Sequence, residues 1–572
     1  MLDDTDDFFK SLFIPFTNSK AIFYIIIIGF LVYANSLFNN FVWDDLLFIV
    51  NNSTIHSINI PQLIGPNLFN VIIHYRPLAA IYFALIYSIV GENVFFYHFL
   101  QIGLHITNTI LLFLFITKFF KKSIGLFICL VFLVHPINVE STIFIGASTS
   151  VLFFFFGMLA LLITQKDKLK TKDFIIIFIL LLLSILSKES GACFIFLVIL
   201  YRFLFSKSQI VHLAITVIAV IFVYGLVRFI AMGTGVNFTL GFPMAKLTFF
   251  ERLANIPLIL LYYFKTFIYP KSLAIDQHWR VHTLDFFNFY LPLTFVTFIF
   301  FTFASIGVYI RKYKSTMLKV YIFFLAWFVI GIFPNLQIVP LDMTVADRWF
   351  YLPLVGLLCI LALGISSFNN GNKILNKTFA VIVILILITL SLRTMIRITN
   401  WQSPMKLYSH DRKYSPDSFG LENNLGSEYL KKGEYDLAKK HYMKSIAIRP
   451  DHWENWYNLG TLHLLLNEIS NAKYSYKKAL VNNSKYELAY EQYGKILIFH
   501  DNPEKGKQFI KDSLTKFPNN AYLWLLLGIA EYKSGNSNAA IIDVRKSLTI
   551  FNSVEGNYIY SQIKTNSPIN TK

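Results

Sequence analysis

The chain has 572 residues, 55% of them hydrophobic and only 15% charged, with a mean hydropathy of +0.54. A chain this apolar cannot close around one soluble core, so most of it is expected to sit in lipid. The formal net charge of +18 raises nucleic acid as a partner, and its placement excludes that reading: residues 1–400 carry 28 Lys and Arg against 16 Asp and Glu, residues 401–572 carry 23 against 17, and neither part has a dense basic stripe.

Much of the positive excess falls in short loops between apolar runs: Lys118, Lys121 and Lys122; Lys166, Lys168, Lys170 and Lys172; Arg311, Lys312, Lys314 and Lys319; Lys373 and Lys377. Lysine-rich short loops stay cytoplasmic, so these fix the orientation. On that basis eleven crossings are predicted, over residues 21–38, 97–117, 123–135, 146–164, 174–186, 191–205, 211–230, 289–310, 318–333, 349–363 and 379–392. Two further apolar stretches, 78–90 and 256–269, are predicted to lie in or dip into the outer interface, because counting either one as a crossing breaks the alternation of lysine-rich loops. The acidic start (Asp3, Asp4, Asp6 and Asp7) lacks the basic segment and cleavage site of a secretory signal peptide, so the first span is expected to be retained as an anchor. Cys129, Cys193 and Cys359 each lie inside an apolar run and read as small core residues, with no disulfide framework or metal site.

Near Trp401 the composition returns to that of a soluble helical domain, which predicts a membrane domain over 1–400 and a second domain over 401–572. Gly426, Gly460, Gly494 and Gly528 recur every 34 residues, the period of a tetratricopeptide repeat, giving about four units. Ala438, Ala472, Gly506 and Ala540 keep the same register where two helices of a unit cross. Ser445, Ala479, Ser513 and Ser547 do so where one unit packs on the next, and Pro450 and Pro518 end two units. The fold class is therefore all-α, a polytopic helical membrane domain followed by an α-solenoid whose inner groove is expected to bind a protein or an extended peptide. A purely structural spacer is the plainer alternative.

Ionisable residues are expensive in the membrane half and therefore informative. Asp44 and Asp45 follow the first span, Arg76 lies in Tyr75-Arg76-Pro77, His135-Pro136 with Glu140 ends the third span, Lys188-Glu189 follows the fifth, and Asp347-Arg348 opens the tenth. The charge-derived topology puts all of them on the outer face. A carboxylate there can accept a proton from a hydroxyl nucleophile while Arg76, Lys188 and Arg348 hold a phosphate. Adjacent carboxylates also raise one another's pKa, which suits a general base. The plainer readings are a turn or helix cap for the Asp pair and a local ion pair for Lys188 and Glu189. His98, His105 and Asn108 read as hydrogen-bond partners between helices rather than as metal ligands.

Phe41-Val42-Trp43-Asp44-Asp45, Tyr75-Arg76-Pro77-Leu78, Tyr97-His98 with His105 and Asn108, His135-Pro136 with Glu140, Ser187-Lys188-Glu189 and Ala346-Asp347-Arg348-Trp349-Phe350-Tyr351-Leu352-Pro353 stand in this order ahead of the repeats. That order resembles the transmembrane and tetratricopeptide-repeat-containing O-mannosyltransferase family and its bacterial relatives in the C-type glycosyltransferase superfamily. The resemblance implies transfer of a sugar, with mannose the leading donor sugar, from a polyprenyl-phosphate carrier to an extracytoplasmic acceptor. It implies Asp44 as general base with Asp45 as its partner. Arg76, Lys188 and Arg348 would contact the lipid phosphate, with His135 and Glu189 in the donor site, and the repeats would recruit a protein acceptor bearing Ser or Thr hydroxyls. One departure stands out: where those relatives follow His-Pro with a Gly-Arg-Ala-acidic stretch, this chain has Gly146-Ala147-Ser148-Thr149.

No metal site is assigned, although Asp44 and Asp45 are where a divalent ion would be sought. Two other classes compete with the transferase. A surface-polysaccharide polymerase or ligase would need a large late outer loop, and residues 334–347 are too few for one. A non-catalytic scaffold would need fewer spans than this chain has. A bacterial inner membrane with the repeats outside the cytoplasm is the expected location, and an endoplasmic-reticulum membrane with lumenal repeats is the alternative.

Overall fold

The computed structural model describes residues 17–65, 75–232, 243–281, 283–368 and 373–569. The acidic N-terminal residues Asp3 to Asp7 lie outside them. Among the described residues every regular element is a helix, and the chain divides into two compact units, Met1–Pro416 and Asp417–Lys572.

Among the described residues of the first unit, eight helices are long and apolar enough to cross a membrane: Asn18–Phe38, Val94–Ile116, Ile145–Thr164, Ile210–Ala231, Phe286–Tyr313, Ser315–Asn335, Asp347–Ile365 and Val381–Asn400. The third expected crossing is a bent pair, Lys122–Val134 and Pro136–Ile143, which meet at 51°. The fifth and sixth fall on shorter helices, Thr171–Ser187 with 17 residues and Ala192–Phe205 with 14, where a straight span takes roughly 20. The two expected interface stretches are the helices Pro77–Val90 and Phe249–Ile268. The second of these is amphipathic, with Asn255, Ile259, Leu260, Tyr263 and Phe264 turned inward.

The break at His135-Pro136 follows from proline, which has no N–H to give and forces the residue before it into an extended conformation. Carbonyls freed in a membrane-embedded helix need other donors, and neighbouring side chains supply them. Asn138 Nδ2 donates to Phe132 O at 2.7 Å, Tyr33 Oη and His105 Nε2 both donate to Leu133 O at 3.0 Å, and Thr394 Oγ1 donates to Val134 O at 2.6 Å. His105 also meets Tyr351 Oη at 2.8 Å, and Asn108 Nδ2 donates to Val151 O at 2.9 Å. Both are the hydrogen-bond partners between helices that their positions imply.

The first unit continues past the change in composition near Trp401. Trp401 is fully buried, and the helix Pro404–Asp411 that follows is held to the last span by a bidentate Arg397–Asp411 pair at 2.5 and 2.9 Å. The apolar runs stop at 400, and the packing stops at 416.

The second unit is four helix pairs and a closing helix, Val554–Lys564. Its 34-residue glycine period has a direct steric cause. A Cβ at Gly426 would come within 2.6 Å of the Tyr442 ring, and one at Gly460 within 2.9 Å of Tyr476, so at these points the two helices of a pair approach closely only because the first carries no side chain. Ser445 also bonds within its own unit, donating to Phe419 O at 2.7 Å.

Candidate active site

One end of the helical bundle in the first unit gathers the ionisable residues, and the loop after the first span is the organising piece. Asp45 is fully buried. Its Oδ2 accepts from Val42 N at 3.1 Å and its Oδ1 from Gly146 N at 2.7 Å, so the carboxylate bolts this loop to the turn beyond the broken span. Burial pushes its carboxyl well above the usual carboxylate range; the two backbone N–H donors pull the other way, and Asp44 adds the smallest contribution. Solvent exclusion, rather than the neighbouring carboxylate, therefore dominates this titration. Asp44 beside it is only partly buried and lies within electrostatic reach of the Arg348 guanidinium.

Trp43 holds a left-handed backbone, φ 54°, which is uncommon for a bulky residue and marks a local constraint. Its indole lies between two partners: the Arg348 guanidinium 5.6 Å from the ring centre, and the Phe144 ring stacked at 5.0 Å. Arg348 is ion-paired through Nη1 to Glu140 Oε1, its backbone N–H donates to Glu140 Oε2 at 3.1 Å, and its guanidinium also lies 5.8 Å over Trp349. Asp347, next to it, is buried and accepts from Tyr262 Oη at 2.6 Å, while Tyr263 Oη donates to Ala346 O at 3.2 Å. The amphipathic helix thus holds Ala346 and Asp347, the two residues before Arg348.

Arg76 and Glu189 pair across 113 residues of sequence, with Nε and Nη2 donating to one carboxylate oxygen at 3.1 and 2.9 Å. Lys188 is buried and donates from Nζ to Ser150 Oγ at 2.9 Å. Burial first, then Arg76 and Arg348, bring its ammonium down to about 7, with Glu189 and Glu140 pulling the other way. The other two expected phosphate-binding cations, Arg76 and Arg348, therefore both lie within electrostatic range of Lys188. Glu189 engages Arg76.

His135 is differently used. Its Nδ1 accepts from Ile137 N at 3.2 Å, which leaves Nε2 to donate to Phe267 O at 3.0 Å, and its ring stacks on Phe267. Both ring nitrogens are thus engaged in holding the break. Each Asp45 oxygen already accepts one backbone N–H group. Among the described residues no three His, Cys, Asp or Glu side chains group as metal ligands.

Sequence reasoning missed Ser150, Tyr262 and Phe144, which carry no charge or motif of their own. Trp43 stood inside a motif, and its neighbours drew the attention.

Eight or more apolar spans and a repeat unit define a multi-pass helical membrane protein with a tetratricopeptide-repeat solenoid. A family model described as Tetratricopeptide repeat matches residues 423–452. The homologues of the chain are protein O-mannosyl-transferases. TMTC3 of Mus musculus is 23% identical over 509 residues, covering 81% of this chain and 55% of that protein. TMTC3 of Homo sapiens is 22% identical over 641 residues, 94% and 69% respectively. F38B6.6 of Caenorhabditis elegans is 25% identical over 458 residues, 75% and 62%. The chain thus spans about half the length of the mouse relative.

Proposed function

We propose that the chain transfers mannose from a polyprenyl-phosphate carrier to Ser or Thr hydroxyls of an extracytoplasmic protein, with the repeats holding the acceptor. The observation that carries this reading is the tie between the loop bearing Asp44 and the three cations. Asp45 binds Gly146, Trp43 carries Arg348, and Arg348 and Arg76 both act on Lys188.

In this mechanism the acceptor oxygen attacks the anomeric carbon as Asp44 takes its proton. The bond from that carbon to the phosphate oxygen breaks, and polyprenyl phosphate leaves with its charge met by Arg348, Arg76 and Lys188. Asp45 anchors the loop, Glu189 orients Arg76, and His135 secures the break that presents Glu140 to Arg348. The named activity of the homologues agrees with this chemistry. The lysine-rich loops support a site and repeats on the non-cytoplasmic side, in a bacterial inner membrane or its endoplasmic-reticulum counterpart.

The test is transfer of label from polyprenyl-phosphate-linked mannose, and then other sugars, to endogenous extracytoplasmic protein in membranes holding wild type, Asp44→Asn or Arg348→Gln at equal protein levels. Transfer by wild type that collapses in both variants supports the reading. Transfer indifferent to both, or none from any donor, would replace it with a membrane-anchored repeat scaffold.

A further inference from the structure

We infer that Phe144 and Trp401 are positioning residues for the transfer, the inner members of a stacked column, Arg348, Trp43, Phe144, Trp401 and Arg397, that sets where Asp44 stands. The kinetic arm of this inference rests on the proposed transferase reading; its structural arm does not.

The column is continuous. Arg348 lies 5.6 Å over Trp43, Trp43 stacks on Phe144 at 5.0 Å and 29°, and Phe144 stacks on Trp401 at 6.0 Å and 28°. Arg397 lies 5.5 Å over Trp401. Ring faces carry negative charge and attract cations, so the two guanidiniums close the column at both ends. The far end is fixed firmly: besides its bidentate pair with Arg397, Asp411 accepts from Ile275 N at 2.9 Å and contacts His410 Nδ1 at 2.7 Å. Two hydrogen bonds join the same two segments of chain. Asn40 N donates to Gln402 O at 3.2 Å, and Asn39 Nδ2 to Ile398 O at 3.4 Å.

A left-handed tryptophan persists only where its surroundings over-determine it, and the column is what surrounds Trp43. Gly146 adds a steric reason. A Cβ there would come within 2.6 Å of the Phe144 ring, and it is the Gly146 N–H that holds Asp45. Asp44 is thus placed between two residues fixed by the same ring. Its position depends on Trp401, which lies beyond the last span and touches none of the reacting groups.

Two measurements on the full chain decide it. Cys129, Cys193 and Cys359 are buried, so in permeabilised membranes maleimide labelling of Asp44→Cys reports position 44. Combining it with Phe144→Leu or Trp401→Leu should raise the labelling rate about tenfold, the scale on which a lost ring contact opens a local segment, and Trp401→Phe should restore it. With Asp44 intact, the leucine variants should lose about 100-fold in kcat while both KM values stay within about threefold, as misplacement rather than lost binding requires.

Unchanged labelling in Phe144→Leu overturns the inference, and so does a rise in KM at unchanged kcat. If Trp401→Leu does not accumulate, Phe144→Leu and Trp401→Phe carry the decision. Absence of mannosyl transfer by wild type counts against the transferase reading alone, because the labelling arm still reads the column.

Discussion

In the repeat unit a close approach recurs from one repeat to the next, whereas in the membrane unit the polar contacts of the site are each made once. Gly426 and Tyr442 solve the same contact as Gly460 and Tyr476, one period later. Glu140 with Arg348, Arg76 with Glu189 and Lys188 with Ser150 have no second copy. A repeated contact makes stability a sum of local terms, so damage stays local. A set of unique buried polar contacts behaves as one network, in which removing a member strands its partner.

The largest effect expected from that contrast is at Asp44. Asp44→Asn should lower kcat by about 10²- to 10⁴-fold, the range for a lost general base, with folded protein unchanged by size-exclusion profile. Asp45→Asn should instead lower the yield of folded protein, since it weakens a loop anchor. If the two variants behave alike, the division of roles between them is wrong.

Next is Glu140→Gln, which takes the nearest carboxylate from the largely buried Arg348 and leaves it Asp342 at 4.0 Å; it should cost about 2–4 kcal/mol, read as thermal denaturation in detergent. Adding Arg348→Met should recover most of that stability without recovering transfer. A smaller loss, about 1–3 kcal/mol, is expected for Gly460→Ala, which drives a methyl against the Tyr476 ring. Hydrogen exchange should confine the change to residues 453–482 and their neighbours; spread into the membrane unit would break the comparison.

The smallest effect is the response to pH. Lys188 titrates near 7 because it is buried and faces Arg76 and Arg348, so its positive charge is present below that pH and lost as pH rises through it. Donor KM should therefore climb by up to about tenfold above pH 7, and Lys188→Arg should flatten the profile. A profile that slopes the other way removes Lys188 from donor binding.

Fold class was legible in the sequence because lipid and repeat packing both impose a pattern that composition displays: apolar runs separated by lysines, and a glycine every 34 residues. The broken span was half legible. Pro136 announces a break, but the donors that make it tolerable, Tyr33, His105 and Thr394, come from three distant helices and share no spacing. Within the candidate site the charged residues stood out because burying charge is costly. Their partners did not: Ser150, Tyr262 and Phe144 are ordinary in sequence and matter only through where the fold places them. The Asp pair misled in one respect, since its adjacency suggested mutual repulsion, while burial of Asp45 is the larger force.

The broken span also sets an order of assembly. Val134 O waits for Thr394, 260 residues later, and Asn39 Nδ2 for Ile398 O, 359 residues later. At about 5–20 residues per second of synthesis, the loop that bears Asp44 is made roughly 20–70 seconds before the last span arrives to lock it. During that interval the remaining membrane helices are added one after another, and the final span is the piece whose insertion completes the site.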